Sequence, residues 1–337
     1  MKLLKDLILT IACAVPLLAG AGTIIAQKPV HPGIVLYQEG KTDEAIRSLE
    51  AATRSKEYKA DPEVWNTLGL SYFQKDDLKR AKKAVEKAIK LAPNVAAYHS
   101  NIAYIMLLSR RLDDARSEAQ KAIELNPRNT NAHVVLGRAN LWEDKLDEAE
   151  LDAARIIEID PGLPDGYILR SNTVMARFGK LVSAGWDIRD EIGLLEKARD
   201  ILNDGAVKCR LHPDHKTIDD EAEAVNAFYD HYSKDRSVTS AAASGPEPGV
   251  TPLKILRKPK PSYTNTARDR GVSGTIRMAV IFGADGNVRY ALLLNRLGFG
   301  LDEMAVQAAR GIKFVPQTRD GKPESVVKTV EYSFLVY

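Results

Sequence analysis

The run His212-Pro213-Asp214-His215 is the nearest approach to a metal-binding cluster in this 337-residue chain. Two imidazoles and a carboxylate are zinc-ligand types, but two histidines across a Pro-Asp turn read as loop residues, so no metal or cofactor is assigned. No glycine-rich phosphate loop, CxxC, HExxH or GxSxG pattern occurs. His99 and His133 fall in helix-packing positions, which explains them without chemistry. Arg257, Lys258 and Lys260 are interleaved with prolines and lack an aromatic platform, so they carry no nucleic-acid reading. The expectation is a chain with no catalytic residues. The remaining chemistry is recognition: aromatic, amide and guanidinium groups at helical spacing, and alternating residues beside a strand edge.

The helical groups stand in a repeat. Ala81, Ala115 and Ala149 recur every 34 residues, as do Pro93, Pro127 and Pro161, and small residues hold equivalent slots at Gly69, Ala103 and Gly137. A period of 34 implies two helices per unit that bury their apolar faces only by stacking on neighbours. The block Trp65, Leu68-Gly69, Tyr72, Ala81, Ala88, Pro93 resembles the tetratricopeptide (TPR) repeat, and the next two blocks keep its small slots while His99 and His133 replace the tryptophan. An irregular earlier unit keeps the internal spacing through Gly33, Ala45, Leu49 and Ala52. After Pro161 a helix pair with an expanded loop from Gly179 to Gly193 is expected, then a capping helix over 217–232 with Ile218, Ala222, Val225 and Phe228 on one face. In each unit's first helix, positions two, five, nine and twelve share one side, and in a TPR array that side lines the concave groove. The groove candidates are Asn66, Phe73, Ser100, Tyr104, Asn131, Arg138 and Trp142. Apolar area combined with amides suits an extended peptide or a partner helix.

At the N-terminus, Lys2 and Lys5 precede an apolar run from Leu7 to Ala26, which reads as an export signal or an anchor over 1–26. Pro16 and Ala19-Gly20-Ala21-Gly22 favour cleavage, after Ala21 or Ala26. Thr10-Ile11-Ala12 before Cys13 is a poor lipoprotein box. With Cys13 and Cys209 alone, the mature chain forms no internal disulfide, and Cys209 is expected to be a small buried residue. The repeat domain spans 29–232. A Ser, Ala, Gly and Pro-rich segment at 233–252 reads as a flexible linker.

The region 253–337 is basic, with 14 Lys/Arg against 7 Asp/Glu from Gly249 onward, while the body carries net negative charge. Ile276, Met278, Val280 and Phe282 alternate on one strand and Val288, Tyr290, Leu292 and Leu294 on the next. Gly283-Ala284-Asp285-Gly286 between them is a hairpin signal. A helix from Leu301 carries Ala305, Ala308 and Ile312 on one face, with Lys313 near its end, and a last strand over 326–336 turns Val330, Tyr332, Phe334 and Val336 inward. The fold class is thus multidomain: an all-α TPR solenoid followed by a small α+β domain with an antiparallel sheet. The set Tyr263, Ala267-Arg268, Gly271, Gly274, Asp285-Gly286-Asn287-Val288, Leu297-Gly298-Phe299-Gly300-Leu301-Asp302, Phe314-Val315-Pro316 and Asp320-Gly321-Lys322-Pro323 resembles the C-terminal domain of the TonB family. Thr264 departs from it, standing where that family usually has proline.

The resemblance implies a non-catalytic periplasmic domain of Gram-negative bacteria that contacts outer-membrane proteins; in TonB itself the domain takes up a receptor segment as an added strand. The matching edge here is the last strand, with Val326, Lys328, Val330 and Tyr332 as its residues. A TonB energy transducer resembles a membrane helix bearing a functional histidine, then a long proline-rich spacer. Here Leu7 to Ala26 has no histidine, and only Gln27 to Val30 separates it from the repeats. The reading is therefore a periplasmic adaptor whose partners are proteins or peptides, outer-membrane receptor segments among them. The alternative is an inner-membrane transducer that faces the periplasm and couples to an outer-membrane transporter. Fractionation with mass spectrometry of the mature N-terminus should find a soluble periplasmic chain beginning at Gly22 or Gln27; an uncleaved chain in the inner membrane would restore the transducer.

Overall fold

The computed structural model describes residues 30–184, 191–234, 249–269, 271–293 and 297–335. The expected signal or anchor, most of the expected linker, Leu294 and Val336 lie outside these residues. The chain divides into two compact units between Val135 and Leu136.

The first unit is built from helices α1 (Pro32–Gln38), α2 (Thr42–Arg54), α3 (Pro62–Gln74), α4 (Leu78–Leu91), α5 (Ala96–Leu108) and α6 (Leu112–Leu125) and the start of α7 (Thr130–Trp142). Local chemistry sets the helix ends. The Asp61 carboxylate accepts from the Glu63 N–H at 3.0 Å ahead of Pro62, and that of Asp77 accepts from the Arg80 N–H at 2.9 Å. Each repeat's first helix closes on a left-handed residue at one slot: Gly40 (φ 74°), Asp76 (66°), Arg110 (60°) and Asp144 (65°). The following N–H then reaches back to the last turn, from Asp77 to the Tyr72 carbonyl at 3.0 Å, from Arg111 to Met106 at 2.9 Å and from Lys145 to Asn140 at 2.8 Å. One turn geometry thus recurs through four successive helix pairs.

The small slots let paired helices close on each other. A Cβ added at Gly69 would stand 2.5 Å from Val85 Cγ2 and 3.1 Å from the Ala81 carbonyl; one added at Gly137 would stand 2.3 Å from Leu169 Cδ2. The sizes trade between the first two regular repeats: where Ala103 takes the slot of Gly69, Ala119 takes that of Val85, and both are fully buried, whereas in the third Gly137 and Ala153 are both small and Leu169 of the following repeat fills the space.

The second unit continues with α8 (Leu146–Ile159), α9 (Pro164–Ser183), α10 (Ile192–Lys208) and α11 (His215–Lys234). Helix α9 runs through Gly179, which the sequence reading placed in a loop. Ile218, Ala222, Val225 and Phe228 of α11 are buried, and Cys209 is fully buried with its thiol pushed up to about 11, chiefly by burial. Beyond 235–248 the chain resumes as β1 (Val250–Thr251), β2 (Lys254–Arg257), α12 (Asn265–Asp269), β3 (Gly274–Phe282), β4 (Val288–Leu293), α13 (Leu301–Arg310), β5 (Lys313–Val315), β6 (Gln317–Arg319), β7 (Lys322–Glu324) and β8 (Val326–Phe334). Antiparallel pairing gives a main sheet in the order β4-β3-β8 and two small ribbons, β2-β5 and β1-β6-β7. Ser233 and Lys234 finish α11 and Val250-Thr251 form β1, so the segment read as linker is ordered at both described ends. Helix α13 stops at Arg310, before Gly311, so Lys313 opens β5 instead of closing the helix.

Strand β3 is the middle layer of this unit. Ile276, Met278, Val280 and Phe282 face α13 in one core with Leu301, Ala305, Ile312, Val330 and Tyr332. On the opposite face, Ala279 and Ile281, joined by Leu292, share a second core with Phe178, Leu195, Leu202, Val225 and Phe228 of the helices. A strand covered on both sides must be apolar on both, and Met278 to Phe282 is a continuous apolar run. Full burial of each large side chain stabilises by about 1.5–3 kcal/mol, so these helices and the sheet fold on one another.

Substituting Gly69→Ala should lower stability by about 1–3 kcal/mol in urea unfolding, because the new methyl overpacks Val85 and backbone beside it. The cost should shrink in a Val85→Ala background, giving a measurable coupling; equal costs in both backgrounds would remove the size-trading account.

Candidate interaction surfaces

Four of the seven groove candidates keep partial exposure, Phe73 and Asn131 in the first unit and Arg138 and Trp142 in the second; the other three are interior. Asn66 is buried and its carbonyl oxygen accepts from Asn101 Nδ2 at 2.9 Å, an amide pair that joins successive repeats. Ser100 is buried, donates to the Ala97 carbonyl at 3.0 Å and accepts from Asn129 Nδ2 at 3.4 Å. Tyr104 is only 2% exposed and stands edge-on to Phe73, ring centroids 5.7 Å apart. These groups staple repeat to repeat. The helical spacing fixed their side of the helix but not what lies across from them.

The Arg138 guanidinium donates to Asp165 Oδ1 at 2.9 Å, with 20% and 13% of the two side chains exposed. Such a pair, largely withdrawn from water, is costly to break because the survivor keeps a desolvated charge.

Polar staples that spacing alone did not reveal run alongside. The Tyr72 hydroxyl donates to Glu50 Oε1 at 2.5 Å beneath the Arg80 guanidinium, 4.3 Å from the ring; burial first and the Glu50 contact second push that hydroxyl up to about 12. The Tyr98 hydroxyl donates to Glu63 Oε2 at 2.9 Å, and the His99 ring sits between Glu118 at 2.7 Å and the Pro93 carbonyl at 2.8 Å. The cluster 212–215 is braced on itself, the Asp214 N–H donating to His212 Nδ1 at 3.1 Å and His215 Nδ1 meeting the His212 carbonyl at 3.0 Å. No group of three or more His, Cys, Asp or Glu placed to hold a metal occurs among the described residues.

The last strand forms an edge of the main sheet. All nine residues of β8 pair with β3, from Val326 opposite Phe282 to Phe334 opposite Gly274, and no strand among the described residues pairs with its other side. Val326, Val330 and Tyr332 are buried in the core beneath α13, and burial pushes the Tyr332 hydroxyl up to about 12; Lys328 is exposed. Of the four edge candidates, three thus anchor the strand and one faces solvent. Cross-strand pairs hold its outer face: Arg277 to Glu331 at 2.9 Å and Thr275 to Ser333 at 3.0 Å. Lys258 Nζ donates to the Glu331 carbonyl at 2.7 Å and lies 4.7 Å from the Tyr332 ring centroid.

The turn that leads into α13 sets its position against this sheet. Gly298, Phe299 and Gly300 all have positive φ, and the buried Asp302 carboxylate accepts from the N–H groups of Leu297 at 2.9 Å and Gly298 at 3.2 Å. At the slot where proline is usual in the family resembled, Thr264 Oγ1 instead donates to the Phe299 carbonyl at 2.6 Å and accepts from the Ala267 N–H at 3.2 Å, capping α12. No helix among the described residues is long and apolar enough to cross a membrane.

Residues 259–335 match the family model described as Gram-negative bacterial TonB protein C-terminal, and residues 62–95 and 107–164 match two tetratricopeptide repeat models. A comparison with curated proteins gives no match. Among solved structures, a crystal structure of MamA is similar at 20% identity, covering 54% of this chain and 99% of that one with a TM-score of 0.44. YrrB, titled a TPR protein with an unusual peptide-binding site, is similar at 22% identity, covering 55% and 86% with a TM-score of 0.39. The first TPR of Spaghetti (RPAP3), solved bound to an HSP90 peptide, is similar at 23% identity, covering 34% and 92% with a TM-score of 0.33.

Replacing Arg138 by Glu should destabilise the second unit by about 1–3 kcal/mol in thermal or urea unfolding, since two carboxylates would then share one half-buried site. Adding Asp165→Arg should recover part of the loss. Wild-type stability of the single variant would mean the pair contributes nothing.

Proposed function

We propose that this chain, which carries tetratricopeptide repeats within residues 62–164 and a TonB C-terminal domain over residues 259–335, is a non-catalytic adaptor of the Gram-negative periplasm. Both modules belong to families of interaction domains. In this reading the repeats hold one protein or peptide through Phe73, Asn131 and neighbouring groups, and the C-terminal domain engages an envelope protein by strand addition.

The observation that carries the reading is the outer edge of β8. In an antiparallel ladder the N–H and C=O of one residue point the same way, and the direction alternates along the strand. Lys258 takes the Glu331 carbonyl from outside, so Glu331, Thr329 and Val327 direct their backbone groups away from β3. An incoming segment would satisfy those groups, with Lys328 and Thr329 exposed beside it to set selectivity. The buried side chains of Val326, Val330 and Tyr332 hold the edge in register.

A photo-crosslinking residue at Lys328 should form adducts with an outer-membrane protein in intact cells. Thr329→Pro, which removes an outward N–H and no bond to β3, should abolish them while leaving the melting temperature within a few degrees. Absence of adducts, or adducts that persist with proline at 329, would contradict strand addition.

A further inference from the structure

The exposed face of α4 breaks the charge pattern of its own repeat family. Lys79, Lys83, Lys87 and Lys90 lie at steps of four, four and three residues, all exposed, forming one stripe about 16 Å long at 1.5 Å per residue. At the same slots one repeat on stand Asp113, Ser117, Lys121 and Glu124, and one further on Asp147, Leu151, Arg155 and Glu158. There the cations are neutralised within the helix, Lys121 by Glu124 at 3.1 Å and Arg155 by Glu158 at 2.5 Å. On α4 the other two cations are paired, Arg80 with Asp77 and Glu50, and Lys82 with Glu86, yet none of the four stripe lysines forms a salt bridge among the described residues, Lys79 acting on Asp77 only at longer range.

The start of the helix shows the same departure. Helices α2, α6 and α8 each place two carboxylates in the first turn (Asp43 and Glu44, Asp113 and Asp114, Asp147 and Glu148), where the helix dipole favours negative charge. Helix α4 carries its N-terminal carboxylate one step earlier, in the cap Asp77, and so leaves Lys79 in the first turn. Lys90 in the last turn suits the helix dipole, but repeat packing asks for none of the four, since all are exposed on the outer face.

We propose that the outer face of α4 is a docking surface for an acidic segment of a partner protein, lying along the helix with carboxylates opposite Lys79, Lys83, Lys87 and Lys90. The stripe is bounded on one side, since α6 exposes Asp113 and Glu124 at the equivalent slots, while α2 exposes Arg47 and Arg54 beside Asp43. A flat anionic bilayer would meet those carboxylates as well, whereas a single acidic helix or strand meets lysines alone. No aromatic side chain occurs on α4 to stack a nucleobase. Because the contacts are exposed point charges, binding is strongly salt-dependent and specified by charge register.

The test uses the full mature chain and a fluorescent alanine-based helical peptide with Glu at every fourth residue, read by anisotropy at low salt. The wild type should bind, and Lys83→Glu with Lys87→Glu should weaken binding roughly tenfold or more, since like charges then face each other. The neutral pair Lys83→Gln and Lys87→Gln should fall between, and circular dichroism should show all three equally folded. Reversal of Lys254 and Arg257 in the basic tail should leave binding unchanged. The proposal is overturned if the α4 reversal binds like wild type, if the tail reversal removes binding instead, or if the wild type binds phosphatidylglycerol-containing vesicles and not the peptide.

Discussion

Strand β3 must be buried on both faces, and the second unit is arranged to satisfy that requirement. One face closes under α13, the other under α9, α10 and α11, with Phe228 edge-on to Tyr290 at 5.3 Å and Arg289 reaching Glu223 at 3.4 Å around the rim. Glu221 of α11 is held at this contact by Tyr290 and Arg310, its carboxyl raised above the usual range chiefly by desolvation. A raised carboxyl favours the packed state while it holds its proton and loses that contribution as pH rises through the raised value, so this contact tightens toward acid. What a domain-by-domain reading treats as a repeat cap and a separate tail shares one core. With both faces of β3 covered, the outer side of β8 remains an edge that no strand among the described residues pairs.

In the repeats, stability and surface are set by different residues. The small slots and left-handed turn residues recur every 34 positions because they answer to packing, which is the same in every unit. Charge on the outer faces answers to nothing internal, so it is free to differ between α4, α6 and α8, and it does.

Much of this was legible in sequence. The period of Ala81, Ala115 and Ala149 gave the helix pairs, and Gly283 to Gly286 the hairpin that joins β3 and β4 in register. The apolar alternation assigned Ile276, Met278, Val280 and Phe282 to one face correctly. It said nothing of Ala279 and Ile281, because alternation weighs one face against the other and cannot say that both are covered; the signal was the unbroken run from Met278 to Phe282. The groove was harder for a related reason. Helical spacing places Asn66, Ser100 and Tyr104 on the concave side, but whether such a side chain meets a ligand or the next repeat depends on long-range neighbours. Arg138 shows the limit most plainly, since Asp165, its partner, lies 27 residues away in the following repeat.

The shared core is tested most directly by native-state hydrogen exchange on the full chain with and without Ile281→Asp, a change buried among the helices on the face of β3 opposite the α13 core. The account predicts that amides of α10 and α11 lose protection together with those of β3, β4 and β8, because the substituted side chain belongs to both. Unchanged protection in α10 and α11 alongside an opened sheet would contradict it, and would leave the helical cap and the C-terminal domain as independent bodies.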